Sequence, residues 1–75
     1  MRTLSEMNAG ELCVVKSINA DGELKQRLFS FGLRRGSHLQ VKATSIAKST
    51  IEIEIGTTLL ALRYEEAQRI GVENV

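Results

Sequence analysis

The stretch IEIEIGTTLLAL, residues 51–62, decides the fold of this chain. Its first part, Ile51–Ile55, alternates isoleucine with glutamate, and a period of two predicts a strand with one buried and one solvated face. Its second part carries Leu60 and Leu62 at the same period. The stretch therefore predicts two antiparallel strands whose apolar faces both point into the core.

The residues between these strands, Gly56 and Thr57, fit a two-residue type II′ turn, because glycine adopts the positive φ of the first central position without steric cost. That turn sets the register and pairs Ile53 with Leu60. It also places Leu59 on the outer, solvated face. We expect this hairpin to form the third and fourth strands of the chain.

The segment before it, His38–Ser45, also alternates and predicts the second strand. The apolar face of this strand carries three residues: Leu39, Val41 and Ala43. Because the two buried faces must match, the loop to the third strand should have an odd length, residues 46–48 or 46–50. Either register places Lys42 opposite a glutamate of the third strand.

A helix is predicted over Glu23–Phe31, between the first and second strands. Its apolar positions recur at steps of four and three: Leu24, Leu28 and Phe31. Gly32 permits a left-handed C-terminal turn that ends the helix. Phe29 lies off this apolar stripe and is expected at the surface.

Four further segments complete the prediction. A one-turn helix is expected at Thr3–Met7, a first strand that is apolar on both faces at Glu11–Ile18, a short helix at Tyr64–Ile70, and a last strand at Val72–Val75. The fold class is therefore mainly β. We expect a small five-stranded barrel with a helix between strands one and two and a short helical turn before the last strand.

The composition describes one small domain spanning residues 1–75. The chain has 75 residues, 43% of them hydrophobic, and a net charge of +1. A chain this short has little room for an enclosed substrate cleft, and its near-neutral charge disfavours nucleic-acid binding. Its apolar runs are too short to cross a membrane. The single cysteine cannot form an internal disulfide, so a reducing cytoplasm is the expected compartment.

Residues that could carry catalysis or bind a metal are scarce. Cys13 lies among apolar residues, where a buried inert thiol is expected rather than a nucleophile or metal ligand. His38 begins an exposed strand, and no second His or Cys stands at ligand spacing. We therefore expect no catalytic site, no metal site and no cofactor.

Four exposed side chains suggest that the chain binds a protein partner. Phe29 and Leu59 are apolar residues outside the core pattern, which loops or a partner protein would cover. Arg34 and Arg35 project from a turn, as either a solubilising loop or a contact for an acidic partner. These four residues are the candidate partner-binding set.

The segment Arg27–Ser37, RLFSFGLRRGS, resembles the Arg-Leu-x-x-Leu-Gly-Leu-x-Pro-Gly signature of the FeoA family, the small ferrous iron transport protein A. Downstream, residues 60–72 resemble the closing Ile-Ala-Leu-Arg-x-x-Glu-Ala-x-x-Ile-x-Val of that family, and residues 4–10 resemble its opening Leu-x-x-Leu-x-x-Gly. Two positions depart from the pattern. Arg35 replaces the usual proline, and Ala47–Thr50 replaces a loop that is often rich in Gly and Pro.

The resemblance implies an SH3-like barrel and a non-enzymatic accessory role in bacterial ferrous iron uptake. The implied partner is the cytosolic part of the FeoB transporter, with no nucleic acid and no membrane insertion, and weak self-association is left open. An alternative is a metal-responsive regulatory domain akin to the SH3-like domain of iron-dependent repressors. A nucleic-acid-binding barrel is a third alternative, which the charge disfavours.

Overall fold

The computed structural model describes residues 2–75 and contains six strands, two α-helices and two 3₁₀ turns. The elements follow in chain order: β1 Arg2–Thr3, a 3₁₀ turn Leu4–Glu6, β2 Leu12–Ile18, α1 Gly22–Ser30, β3 His38–Thr44, a 3₁₀ turn Ile46–Lys48, β4 Thr50–Ile55, β5 Thr58–Arg63, α2 Tyr64–Ala67 and β6 Ile70–Asn74.

The strands form one antiparallel sheet in the order β1-β6-β2-β3-β4-β5. The hydrogen-bonded sheet is therefore open, with β1 and β5 at its ends, and has six strands rather than the predicted five. The additional strand, β1, has only two residues, which is too short to show a period in the sequence. The first 3₁₀ turn contacts α2, so helical segments link the two ends of the sheet.

The β4–β5 hairpin confirms the predicted register. Ile53 pairs with Leu60 and Ile51 pairs with Leu62, and all four side chains are buried. Gly56 has a φ of +61°, the left-handed conformation that the type II′ turn requires at its first central residue.

The β3–β4 pairing follows the predicted register only in part. Val41 faces Ile53, but a bulge then shifts the register, so that Ala43 faces Glu52. Ala43 is exposed, and its predicted place on the buried face is wrong, because a bulge turns the following side chain to the other face. The side chain of Lys42 contacts Glu54, with Nζ 3.8 Å from Oε1.

The sequence predicted that strand β2 is apolar and buried on both faces, and this prediction is wrong. Cys13 and Val15 are buried, whereas Leu12 is 54% exposed and Val14 is half-buried. The strand therefore has the usual single core face. Its apolar outer residues mark a surface rather than a second layer of the core.

The C-terminus of α1 ends in a Schellman motif, in agreement with the predicted role of Gly32. Leu33 N–H donates to Leu28 C=O at 2.9 Å, and Gly32 N–H donates to Phe29 C=O at 2.9 Å. Leu28 and Leu33 are both fully buried. Phe31, expected on the buried stripe, is instead 38% exposed, because the helix ends before it and the chain turns.

The core lies against the inner face of the sheet and is closed by α1, α2 and the first 3₁₀ turn. Buried residues from these helical segments, and Met7 directly after the first of them, join those of the strands in one cluster: Leu4, Met7, Leu28 and Ala67. The C-terminal boundaries differ from the prediction. Helix α2 stops at Ala67 rather than Ile70, and β6 begins at Ile70 rather than Val72, because pairing with β2 brings Ile70 into the sheet opposite Ile18. No helix within residues 2–75 is long and apolar enough to span a membrane.

Candidate interaction surface

Five side chains form a row across the outer face of the sheet. Leu12 on β2 pairs with Gln40 on β3, which pairs with Glu54 on β4, which pairs with Leu59 on β5. Val75 extends the row on the other side of Leu12, because its N–H donates to the Leu12 carbonyl at 3.2 Å. We call these five residues the outer row. Neighbouring strands lie about 4.8 Å apart, so Leu12 and Leu59 are separated by about 14 Å.

The outer row exposes three large apolar side chains. Leu12 is 54% exposed, Leu59 55% and Val75 74%. A shallow groove of about 290 Å³ lies beside the first of them, and its lining consists of seven residues: Leu12, Cys13, His38, Leu39, Gln40, Glu54 and Val75. Exposed apolar residues grouped around a groove are typical of a protein-contact surface.

A polar network holds the β2 end of the outer row in place. The Glu11 carboxylate accepts hydrogen bonds from the Asn8 N–H at 2.7 Å, from Asn74 Nδ2 at 2.9 Å and from Arg2 Nη1 at 3.4 Å. The Asn8 N–H and the Asn74 amide hold the pKa of Glu11 below its ordinary value. The network joins both ends of the described chain to β2, immediately before Leu12.

The Arg34–Arg35 turn lies next to the same face. Gly36 has a φ of +88°, and its N–H donates to the Val15 carbonyl at 2.8 Å, so the turn is fixed to β2. Arg35 and Gly36 line a second shallow depression of about 300 Å³ with Val14, Val15 and Lys16. The turn therefore places Arg35 beside Val14 and Lys16, which lie on the outer face of β2.

Phe29 lies on a separate element. It is 44% exposed on α1, and Lys25 Nζ sits 5.6 Å from its ring centroid, within the range of a cation–π contact. The ammonium group of a neighbouring lysine thus lies over the ring. Phe29 lines neither the groove nor the second depression.

The predicted partner-binding residues are therefore brought together only in part. Leu59 belongs to the outer row and Arg35 reaches the same sheet face, with Arg34 beside it on the turn, whereas Phe29 lies on α1. Sequence reasoning missed Leu12 and Val75. Leu12 could have been found from the alternation of side chains along a strand, because a strand that buries residues 13 and 15 must turn residue 12 outward.

The two candidate metal ligands lie on opposite faces of the sheet. Cys13 pairs with Leu39 on the core face, and His38 pairs with Val14 on the outer face. Burial raises the pKa of the Cys13 thiol to about 11, so the thiol stays protonated at neutral pH. Among residues 2–75, no three His, Cys, Asp or Glu side chains cluster as metal ligands.

Comparison with known proteins gives a consistent family assignment. The sequence model of the FeoA domain matches residues 2–74. The chain is 37% identical over 70 residues to the Fe(2+) transport protein A of Campylobacter jejuni, covering 93% of this chain and 95% of that protein.

Two solved structures have the same fold. The FeoA protein of Chlorobium tepidum superposes with a TM-score of 0.89 at 34% identity, covering 97% of this chain and 70% of that one. The FeoA of Stenotrophomonas maltophilia, solved in complex with zinc, superposes with a TM-score of 0.83 at 28% identity, covering 97% and 91%. The latter is described as an SH3 domain protein and a candidate activating factor of bacterial ferrous iron transport.

Proposed function

Because this chain belongs to the FeoA family of ferrous iron transport accessory proteins, we propose that it binds the cytosolic part of a FeoB-type transporter as a non-enzymatic partner in the cytoplasm. In this proposal residues 1–75 act as a single binding domain. The observation that carries the proposal is the outer row, which exposes Leu12 and Leu59 on two strands of the sheet and Val75 beside Leu12. Burial of apolar surface is a main driving force of protein association, and grouped exposed apolar residues mark protein-contact sites.

The proposed contact residues follow from their positions. Leu12, Val75 and Leu59 supply the apolar contact, and Arg35, with Arg34 beside it, adds positive charge at the same face. Charges at the rim of an interface chiefly steer association, so these arginines would favour an acidic patch on the transporter. Phe29 joins the contact only if the partner also covers α1.

Titration of the ¹⁵N-labelled domain with the transporter's cytosolic region tests the proposal. We expect amide shifts at the outer row and at Arg35, and a loss of at least about tenfold in affinity for the double variant Leu12→Ser with Leu59→Ser, since two apolar anchors are removed. Ile46→Ser is the matched control, because Ile46 is 96% exposed on the β3–β4 loop and outside the row. Absence of shifts at high micromolar concentration, or equal losses in the control, would contradict direct binding at this face.

A second candidate function is a metal-responsive regulatory domain, akin to the SH3-like domain of iron-dependent repressors. It is favoured by the zinc complex of the Stenotrophomonas maltophilia protein. In this chain His38 would be the first ligand to test, because it is exposed and borders the groove. Calorimetry with zinc and ferrous ions, on the domain and on His38→Ala, separates the two functions. Stoichiometric micromolar binding that disappears with His38 would support the regulatory role.

A further inference from the structure

Strand β5 leaves one edge without a partner. It is the last strand of the sheet and pairs only with β4. The tight turn makes Ile55 and Thr58 a hydrogen-bonded pair, so hydrogen-bonded and non-hydrogen-bonded pairs alternate along the hairpin. Leu59 and Ala61 fall on the non-hydrogen-bonded positions, and their backbone N–H and C=O groups point away from β4. Within residues 2–75 no hydrogen bond reaches these four groups.

The part of β5 around Leu59 and Ala61 lacks the usual protection of an edge strand. Thr58–Leu62 contains no proline and no charged residue, whereas natural edge strands are commonly blunted by a charged residue, proline or a bulge. The charge of β5 is confined to its last residue, Arg63, which is exposed. In residues 2–75 α1 makes no extensive contact with β5. Helix α2 does contact β5, and it begins directly after Arg63 at the end of the strand. The opposite edge is different, since β1 has only two residues.

The outer face beside this edge combines apolar and acidic character. Leu59 and Ala61 are exposed, and the residues opposite them on β4 are Glu54 and Glu52. Glu54 is 3.8 Å from Lys42 Nζ, but Glu52 forms no ion pair among the described residues. A carboxylate without a counter-ion therefore lies one strand away from the open edge.

We propose that the outer edge of β5 binds an extended polypeptide segment as an additional antiparallel or parallel strand, and that this segment carries a basic side chain on its outer face. The backbone of the segment would pair with Leu59 and Ala61. A lysine or arginine beside Ala61 would extend across the small methyl group to Glu52. The proposal concerns the binding mode of this edge and does not depend on which protein supplies the segment.

Charge favours such a segment over a second copy of this chain. Self-pairing that satisfies all four backbone groups would place Leu59 of one copy opposite Ala61 of the other. The outer face would then carry Glu52 and Glu54 of both copies, and neither Glu52 would gain a cation.

The test uses two synthetic peptides and the ¹⁵N-labelled protein. The basic probe is acetyl-Lys-Val-Lys-Val-Thr-Val-amide, and the acidic control carries glutamate at both lysine positions. We expect the basic probe to shift the amide resonances of Leu59 and Ala61 and to slow their hydrogen exchange. The acidic peptide should bind several-fold more weakly, and Glu52→Gln should reduce this difference.

Blocking the edge separates backbone pairing from simple charge attraction. Ala61→Pro removes an outward N–H without removing a bond to β4 and should abolish peptide binding. If that variant does not fold, N-methylation of alternate peptide bonds serves instead, since only one of the two alternating patterns should prevent binding. Shifts confined to other strands, or none up to about 1 mM peptide, would overturn the proposal. So would dimerisation of the free protein through β5, measured by sedimentation.

Discussion

Glu66 on α2 joins two helices, because its Oε1 atom lies 2.8 Å from Nη2 of Arg27 on α1. The same oxygen accepts the backbone N–H of Arg63 at 2.9 Å, at the start of α2. Burial opposes ionisation of Glu66, but the hydrogen bonds from Arg63 and Arg27 outweigh it and hold the pKa below the ordinary value of 4.5. This carboxylate therefore both starts α2 and fixes its position against α1.

Glu66→Gln should lower the free energy of unfolding by roughly 1 kcal/mol at pH 7, because it replaces charge-assisted hydrogen bonds with neutral ones. The folded-state pKa is lowered, so this stabilisation is complete above the unfolded-state pKa and is lost as pH falls through the folded-state value. Urea unfolding of both proteins between pH 7 and strongly acidic pH checks the prediction. Their stabilities should converge at the acidic end.

Glu65→Gln is the control for this experiment. It changes the net charge by the same amount, but Glu65 is exposed and forms no hydrogen bond or ion pair among residues 2–75. Equal destabilisation by the two substitutions would mean that overall charge, and not the contact with Arg27, causes the effect.

Truncation of two adjacent leucines on β5 should change the stability by very different amounts. Leu60 is 6% exposed and Leu59 is 55% exposed. Leu60→Ala should therefore cost about 2 to 5 kcal/mol of unfolding free energy, whereas Leu59→Ala should stay within about 0.5 kcal/mol. Urea unfolding followed by circular dichroism measures both. A large loss of stability for Leu59→Ala would show that its exposed side chain belongs to the structural core and not to a contact surface.

The thiol of Cys13 should be unreactive in the folded protein. It is fully buried, so a reagent in solution does not reach it. Burial also raises its pKa to about 11, so the reactive thiolate form is not populated at neutral pH. We expect negligible reaction with Ellman's reagent at pH 8 in native buffer and one thiol per chain in denaturant. Rapid reaction without denaturant would contradict the buried position of Cys13 on the core face of β2.

Much of the fold could be predicted because short-range patterns decide it. The alternation at Ile51–Ile55 and the positive φ of Gly56 are local properties, and together they specify the hairpin and its register. Gly32 likewise predicts the end of α1. The features that were predicted wrongly depend on contacts between distant segments. For example, β1 was missed because its two residues become a strand only by pairing with β6.

The candidate surface was predicted less completely for the same reason. Leu59 was recognised because the hairpin register alone turns it outward. Leu12 and Val75 were not recognised, since their exposure depends on where β2 and β6 lie in the sheet. For Leu12, the apolar residues that follow it also hide the alternation of buried and exposed positions in the sequence. The bulge after Val41 has no sequence signal that we can identify.

The amino-acid sequence by itself determined which segments become the five longer strands, which side chains of the β4–β5 hairpin face inward, and the family of the chain, because these depend on periodicity, turn chemistry and the order of motifs. Only the tertiary structure decided that the apolar residues of β2, β5 and the C-terminus share one outer face, and that one edge of β5 stays unpaired. Neighbour relations between strands distant along the chain arise from packing of the whole core, and no local pattern encodes them.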